Sequence, residues 1–425
     1  MKKLFKPGLI LASLAIAAMM VFHFSSVAFS NTPPGTLDSV DCPMDQHSGY
    51  KPVINSCVGF GIDFFKRIAA QDTAKNVFVS PTGAFLALTM LIEGAAGETH
   101  KQIGKTLYLV GVSDDSIRDN VKLLQSKLTQ SGDAYRFDIA NALFADRRVA
   151  ASFKSEYLVR LGLDFDAKIE TLDFKDPKSA KVINAWVEQK TAGKIKDFLT
   201  ERELAGTILD LIDAVYFKAA WSRTFDAALT MPRGFLTVSG QTKESPFMNQ
   251  SGTYEYLRTE HFQAVRLPYA NHQADMIIFL PDETGSLSEF MHHLNQESWT
   301  QWAIAFRRKQ GDISLPKWKI NYEVNLNDTL KSMGMPFAFD KDKADFSGML
   351  SVKAWVGAAK QKTFIEVNEK GTEAAAVTGI GMVGTAMPAH EEKFHFVADH
   401  PFAYAITDHK TGVILFMGTV VDPAY

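Results

Sequence analysis

Apolar residues recur three and four positions apart over residues 60–69, 83–92 and 182–187, and this spacing predicts helices. The second of these segments follows Ser80, which suits an N-cap, and Pro81, which suits the first turn of a helix. That segment is apolar on nearly every side. A buried helix is therefore predicted there.

Other segments alternate β-branched and aromatic residues between turn formers, which is the pattern of strands. These segments are residues 137–145, 209–217, 276–280 and 313–320, followed near the C-terminus by 394–397, 402–407 and 413–421. No internal repeat or linker divides residues 58–425. A single α+β domain built on large sheets is therefore predicted.

Composition and charge narrow the class of protein. The 425 residues are 46% hydrophobic and 22% charged, which is typical of a globular protein and excludes disorder. The formal net charge is −3, so no basic field is present to hold a phosphate backbone. Nucleic acid is not expected as a partner.

The first thirty residues have the layout of a secretory signal. Lysines near the start precede an uncharged run over residues 8–22, and small residues leading to Ser30 suit cleavage after it. The run is shorter than the roughly 20 residues that a membrane-spanning helix needs. We expect removal of residues 1–30 and a secreted or periplasmic chain that no membrane holds. An uncleaved anchor is the alternative.

Residues 31–57 show no apolar period and are rich in turn formers, so we interpret them as an N-terminal extension, with the fold beginning near Cys57. The chain has two cysteines, Cys42 and Cys57. An oxidising compartment would allow a disulfide between them. Two free thiols are the alternative, and no motif places a catalytic base beside either residue.

Motifs that would indicate a cofactor, a metal site or an enzyme are either absent from the sequence or not supported by the residues around them. Residues 379–384 satisfy G-x-G-x-x-G, but Pro388 follows too closely for the helix that a dinucleotide site requires. His390, His395 and His400 are five apart and share no helix face, so a metal site is not predicted from them. Hydrolase and metalloenzyme motifs are absent from the sequence. Neither an enzyme nor a cofactor is therefore expected.

Residues 366–378 hold the most unusual pattern, a strand-like approach followed by small side chains. With a period of two, one face of this segment carries small and then apolar residues: Thr372, Ala374, Ala376, Thr378, Ile380 and Met382. Such a segment can be exposed in one state and join a sheet in another, and small side chains ease the parting of the sheet. A flexible connector is the alternative.

The chain resembles the serpin family from about Phe60 to Pro423. The blocks that carry the resemblance lie in order along most of the chain: residues 76–81, 94–99, 184–195, 216–221, 267–269, 344–349, 368–378, 398–406 and 414–423. Their number and order make the resemblance specific.

The resemblance implies an α+β fold of three sheets and eight or nine helices, with an exposed reactive centre loop at about residues 369–392. It also implies a monomeric suicide-substrate inhibitor. A target serine protease, or in some cases a cysteine protease, cleaves the loop and forms an acyl-enzyme. The cut loop then enters the main sheet and traps the protease.

The resemblance also assigns roles to residues of the loop. Its hinge comprises Glu369, Gly371, Thr372, Glu373, Ala374, Ala375 and Ala376. The family's usual loop length, counted from Glu369, places the reactive bond at Thr385–Ala386. Cleavage after Met382 or Met387 is the alternative.

No lysine or arginine occurs between residues 370 and 393, so the loop has no basic side chain for the acidic specificity pocket of a trypsin-like protease. Elastase-like or subtilisin-like proteases are the expected targets. A non-inhibitory serpin, used as a binding or chaperone module, is the main alternative, and the small hinge residues argue against it. A secreted hydrolase is a further alternative, and the absence of a nucleophile motif from the sequence argues against it.

The cluster that controls sheet opening departs from the family. Its usual two serines, asparagine and histidine correspond here to Ser80, Gly83, Asp213 and Gln361. Trp221 keeps the place of the tryptophan beneath the entry point of the loop. Because three of the four positions differ, we expect the barrier to opening to differ as well.

Overall fold

The structure, a computed structural model, describes residues 50–132, 134–282, 287–372 and 392–425. The described part contains ten α-helices: α1 (Tyr50–Gln71), α2 (Pro81–Ile92), α3 (Gly97–Thr106), α4 (Asp114–Leu128), α5 (Ser155–Asp164), α6 (Pro177–Lys190), α7 (Glu201–Ala205), α8 (Leu287–His293), α9 (Gln296–Ala305) and α10 (Asn327–Met333). None of these described helices is both long enough and apolar enough to cross a membrane.

Local sequence explains where the central helices begin. The Ser80 hydroxyl accepts a hydrogen bond of 3.1 Å from the amide of Gly83 at the start of α2, as the capping pattern predicted. Helix α1 begins at Tyr50, ahead of the start near Cys57 that the sequence predicted. Val53 and Cys57 lie four residues apart and are fully buried, so this earlier turn packs into the core.

The described residues form sixteen strands: β1 (Val77–Val79), β2 (Gln130–Ser131), β3 (Tyr135–Asp146), β4 (Lys168–Leu172), β5 (Leu209–Ala220), β6 (Met231–Leu236), β7 (Thr242–Arg258), β8 (Phe262–Pro268), β9 (Ala274–Pro281), β10 (Arg307–Pro316), β11 (Trp318–Asn325), β12 (Lys360–Asn368), β13 (Gly371–Thr372), β14 (Phe394–Val397), β15 (Phe402–Asp408) and β16 (Ile414–Val420). One strand predicted over residues 313–320 is two strands. Pro316 ends β10, and the chain passes into the other sheet as β11.

Hydrogen bonding groups these strands into two sheets. The nine-stranded sheet has the order β1-β16-β15-β9-β8-β7-β10-β14, with β6 also on β7. The seven-stranded sheet has the order β11-β12-β13-β5-β3-β2, with β4 parallel to β3. The predicted α+β fold is confirmed. The resemblance implied three sheets. Because β7 pairs with β6, β8 and β10, hydrogen bonding joins these strands into one sheet, and the described strands form two sheets.

Aromatic side chains join the two sheets in the core. The ring of Phe416, on β16, lies 6.0 Å from that of Phe137 on β3 and 5.9 Å from that of Phe217 on β5. Helix α2 contacts β5 of one sheet and β16 of the other. Any separation of β5 from its neighbours therefore takes place directly over α2.

Candidate functional site

A very short strand divides the middle of the seven-stranded sheet. Strand β13 pairs with β12 through Thr372 and Val367 and with β5 through Thr372 and Ala219. Along the rest of β5 and β12, the described residues place no strand between them and do not pair the two with each other. We call this interval between β5 and β12 the slot.

The sequence predictions for the hinge fall only partly within the described chain. Glu369, Gly371 and Thr372 are described, and they lie at the end of the slot where β13 pairs. The other predicted hinge residues and the predicted reactive bond lie outside the described residues: Glu373, Ala374, Ala375, Ala376, Thr385 and Ala386. The leader and Cys42 lie outside them as well.

Backbone geometry restricts the residue at the start of β13. Gly371 has a φ of +144°, and a Cβ added there would lie 2.2 Å from the carbonyl oxygen of Ala219. Only glycine fits this close approach to β5. The next residue, Thr372, is 2% exposed, and its hydroxyl shares a hydrogen bond of 2.6 Å with the hydroxyl of Tyr269.

Trp221 holds the turn that leads into β13. Its indole N–H donates to the carbonyl oxygen of Asn368 at 2.9 Å, and its backbone amide donates to that of Lys370 at 3.0 Å. Its ring stacks on Tyr269, with centroids 4.6 Å apart and planes 8° apart. The structure thus places Trp221 beneath the entry to the slot, with Tyr269 between it and Thr372.

The carboxylate of Glu369 also lies at the entry to the slot, where it contacts two other side chains. Glu369 accepts a hydrogen bond of 2.9 Å from the Thr230 hydroxyl, and its other oxygen lies 3.3 Å from Nζ of Lys317. Burial alone would raise the pKa of Glu369, but hydrogen bonds from its own backbone amide, Thr230 and Lys317 hold it below its usual value. Sequence reasoning missed Thr230 and Lys317 because they lie far from the hinge in the chain. We call Trp221, Tyr269, Lys317, Glu369 and Thr372 the entry cluster.

Farther along the slot, α2 is tied to both sheets. The backbone amide of Ser80 donates to Oε1 of Gln361 on β12, and Nε2 of Gln361 donates to the Ser80 carbonyl oxygen, both at 2.9 Å. The Ser80 hydroxyl donates to the carbonyl oxygen of Leu415 on β16 at 2.9 Å. Gln361 therefore links β12 to the start of α2, and its role in sheet opening stays a prediction.

Asp213 faces the same region from β5 but makes no such link. Both of its carboxylate oxygens are inaccessible to solvent and lack a hydrogen-bond partner among the described residues. Burial raises the pKa of Asp213 to about 7. A Cβ at Gly83 would lie 2.3 Å from Oδ1 of Asp213, so glycine at position 83 gives the carboxyl group its room.

The walls of the slot enclose a largely apolar cavity of about 120 Å³. Helix α2 contributes aliphatic side chains to its floor, and β5 and β12 form its edges. Residues between 326 and 359 also line the cavity, and the residues that α2, β5 and β12 contribute include Ala84, Ala87, Leu88, Leu91, Leu209, Leu211, Asp213 and Gln361. Within the described chain, the site has strand edges without a pairing strand above an apolar floor, which suits an added strand with small side chains.

Cys57 lies apart from this site. It is fully buried and forms no disulfide with a described residue, and its Sγ lies 3.8 Å from the hydroxyl of Thr82. Burial raises the pKa of the Cys57 thiol to about 12, which keeps it protonated and unreactive. Because Cys42 is outside the described residues, the Cys42–Cys57 disulfide stays a prediction.

Comparisons with known proteins agree with this architecture. The family model described as serpin (serine protease inhibitor) matches residues 55–423. Serpin B6 of Pongo abelii is 34% identical over 372 residues, covering 86% of this chain and 97% of that protein. The leukocyte elastase inhibitor of Xenopus laevis is 31% identical, covering 87% and 99%. The crystal structure of human thyroxine-binding globulin has a TM-score of 0.80 at 26% identity, covering 89% and 100%.

Fold and site together define a mixed α+β protein whose seven-stranded sheet is divided by the slot between β5 and β12. The family model that matches residues 55–423 identifies the family of this chain. This chain belongs to the serpin family, a family of serine protease inhibitors.

Proposed function

We propose that this serpin inhibits serine proteases as a suicide substrate, by inserting its cleaved reactive loop into the slot. The observation that carries the proposal is β13, where the first hinge residues already pair with β12 on one side and β5 on the other. A loop cut beyond Thr372 can extend this pairing along the slot.

The energetics support insertion as the driving step. A strand of roughly ten residues gains about 0.5–1.5 kcal/mol for each net hydrogen bond, so on the order of 10 kcal/mol is available. Burial against the apolar wall on α2 adds to this gain. A distortion that displaces the oxyanion donors of a protease slows deacylation by roughly 10²–10³-fold per donor, which leaves the acyl-enzyme trapped.

Small hinge side chains support inhibition over the alternative of a binding or chaperone module. Thr372 is buried at the entry, and the next three positions on its face are alanine, alanine and threonine. Side chains of this size suit a strand that enters between β5 and β12 above the apolar floor on α2. The fold alone does not choose between these functions, since thyroxine-binding globulin shares it.

The reactive bond is proposed at Thr385–Ala386, with cleavage after Met382 or Met387 as the alternative. The absence of lysine and arginine between residues 370 and 393 supports elastase-like or subtilisin-like targets. The similarity to a leukocyte elastase inhibitor is consistent with this choice. A cysteine protease is a secondary candidate for the target.

The place of action is also a proposal. The secretory pattern of residues 1–30 supports export, so that the mature inhibitor acts as a monomer in a secreted or periplasmic setting. N-terminal sequencing of the chain recovered from outside the cytoplasm tests this, and a new start after Ser30 is expected. Retention of Met1 in that fraction would contradict cleavage.

Incubation with an elastase and with subtilisin tests the inhibitory mechanism. We expect a complex of inhibitor and protease that survives boiling in detergent, together with a released C-terminal peptide whose mass gives the reactive bond. Protease inactivated at its nucleophile serves as the control, because it cannot form the acyl bond. Complete cleavage of the chain without a stable complex would contradict inhibition of these proteases by trapping.

A further inference from the structure

Three side chains that can bind a metal ion meet on the surface, away from the slot. His261 lies in the turn between β7 and β8, while Glu289 and His293 are four residues apart on α8. Nδ1 of His261 lies 3.6 Å, and Nε2 of His293 4.0 Å, from Oε1 of Glu289. All three ligand atoms lie within 4.8 Å of one another, and among the described residues this is the only such group.

These separations are too long for direct hydrogen bonds and close to those of a metal site. An N–H···O hydrogen bond spans 2.7–3.2 Å, so neither histidine is bonded to Glu289 at this distance. Zinc bonds of about 2.0–2.2 Å in tetrahedral geometry place neighbouring ligand atoms about 3.3–3.5 Å apart. The three side chains are 47–53% exposed, so small rotations of their torsions can close the remaining difference.

Buried aromatic residues fix the two elements that carry the ligands. Phe262 follows His261 and Phe290 follows Glu289, and these two rings meet edge to face with centroids 5.4 Å apart. Phe290 is 2% exposed and also stacks on Trp302 at 5.6 Å. The core therefore holds the ligands near each other whether or not an ion is bound.

Backbone contacts hold the His261 turn as well. The amide of His261 donates to the hydroxyl of Thr259 at 3.2 Å, and the amide of Asp282 donates to the carbonyl oxygen of His261 at 3.1 Å. A cavity of about 330 Å³, lined in part by His261, His293 and Trp302, opens beside the cluster. It gives a fourth ligand, such as water, room to complete a tetrahedron.

We propose that His261, Glu289 and His293 form a binding site for a divalent transition metal of the zinc type. Two imidazole nitrogens and one carboxylate suit zinc, cobalt, nickel or copper, whereas magnesium and calcium prefer oxygen ligands alone. The bound ion links the β7–β8 turn to α8 and stabilises the native state by mass action. Sequence analysis did not predict this site because its histidines are far apart and match no metal motif.

Calorimetric titration of the full chain with zinc chloride tests the proposal. We expect one ion per chain and a rise in melting temperature that a chelator reverses, with no such effect from magnesium chloride. His261→Ala, Glu289→Gln and His293→Ala should each weaken zinc binding by roughly 10–100-fold, at least the loss caused by changing an outer-sphere partner. Cobalt should give the absorption of a four-coordinate ion with nitrogen and oxygen ligands.

His292→Ala is the matched control, because His292 is exposed on the same helix and is not one of the three ligands, while its ring lies edge-on to that of His293 with centroids 5.6 Å apart. It should keep the affinity of the unchanged chain. The ligand positions are exposed, and circular dichroism confirms that each variant is folded before titration. Binding of zinc with equal affinity by the triple variant, or equal loss with His292→Ala, would overturn the proposal.

Discussion

Thr372 is the last described residue of the hinge, and it is already buried between β12 and β5. Its hydroxyl meets Tyr269, which stacks on Trp221. A long charged side chain at this buried position would have to displace Tyr269 or lie there without a counter-charge. At the scale of single residues, the entry cluster therefore selects what can pass into the slot.

Thr372→Arg should convert the inhibitor into a substrate. A guanidinium buried beside Tyr269 would lack a counter-charge, so insertion slows while deacylation continues at its own rate. The stoichiometry of inhibition against an elastase measures the effect, and we expect it to rise several-fold. Thr372→Ser keeps the hydroxyl and is the control. Unchanged stoichiometry with arginine would show that the side chain at position 372 does not limit insertion of the loop.

Glu369→Lys should destabilise the native entry cluster by about 2 kcal/mol, since it removes a charged hydrogen bond and sets two cations together. Glu369 and Lys317 are only 15% and 17% exposed, so solvent screens them weakly. Urea unfolding of each variant measures the loss. The double variant Glu369→Lys with Lys317→Glu should recover part of it. Equal stability of the single and double variants would exclude a role for this ion pair.

At the scale of elements, Asp213 lies on the edge of β5 that faces the slot. Its pKa is raised from 3.8 to about 7 by burial, so between about pH 4 and pH 7 the native state binds a proton that the unfolded state releases. Stability from this group is fully present below about pH 4. It is lost as the pH rises through 7.

The loss should follow a slope of up to about 1.4 kcal/mol per pH unit over that window. Asp213→Asn should flatten the slope in urea unfolding midpoints between pH 5 and pH 7. Asp210, on the same strand, also has its pKa raised by burial, to about 6, and should leave a shallower residual slope in the variant. A slope identical in both proteins would mean that Asp213 does not titrate in this range.

Elements with strong periodicity were predictable from the sequence, and others were not. The capped apolar run after Ser80 predicted α2, because capping and spacing are local properties. The division of residues 313–320 into β10 and β11 was not predictable, since it depends on pairing with distant β7 and β12. The sequence indicated Trp221 and Glu369 as site residues but not Lys317. The role of Lys317 depends on its contact with Glu369, which is distant in the chain.

At the scale of the whole molecule, the described residues leave the edges of β5 and β12 unpaired beyond β13, near the centre of the seven-stranded sheet. In the proposed mechanism, Thr372 and Glu392 are both held in the fold while the loop between them is intact, and this restrains insertion. Cleavage within residues 373–391 frees one end. If the proposed mechanism holds, the difference in stability between the intact and cleaved chains is the work available for trapping a protease.

A single cut in the loop should therefore raise the melting temperature by well over 10 °C. On the order of 10 kcal/mol from a full added strand is large beside the 2–4 °C that each 1 kcal/mol gives in larger domains. Differential scanning calorimetry before and after limited proteolysis measures the rise. A chain cut within residues 31–49 is the control and should melt as the intact protein does. An unchanged melting temperature after cleavage of the loop would mean that the cut segment stays outside.

The crystal structure of the chain cut at its reactive bond tests loop insertion most directly. We expect the residues that follow Thr372 to form a strand paired with both β5 and β12, with alternate small side chains against α2. Electron density that instead shows these residues in solvent, with β5 and β12 still apart, would contradict the mechanism.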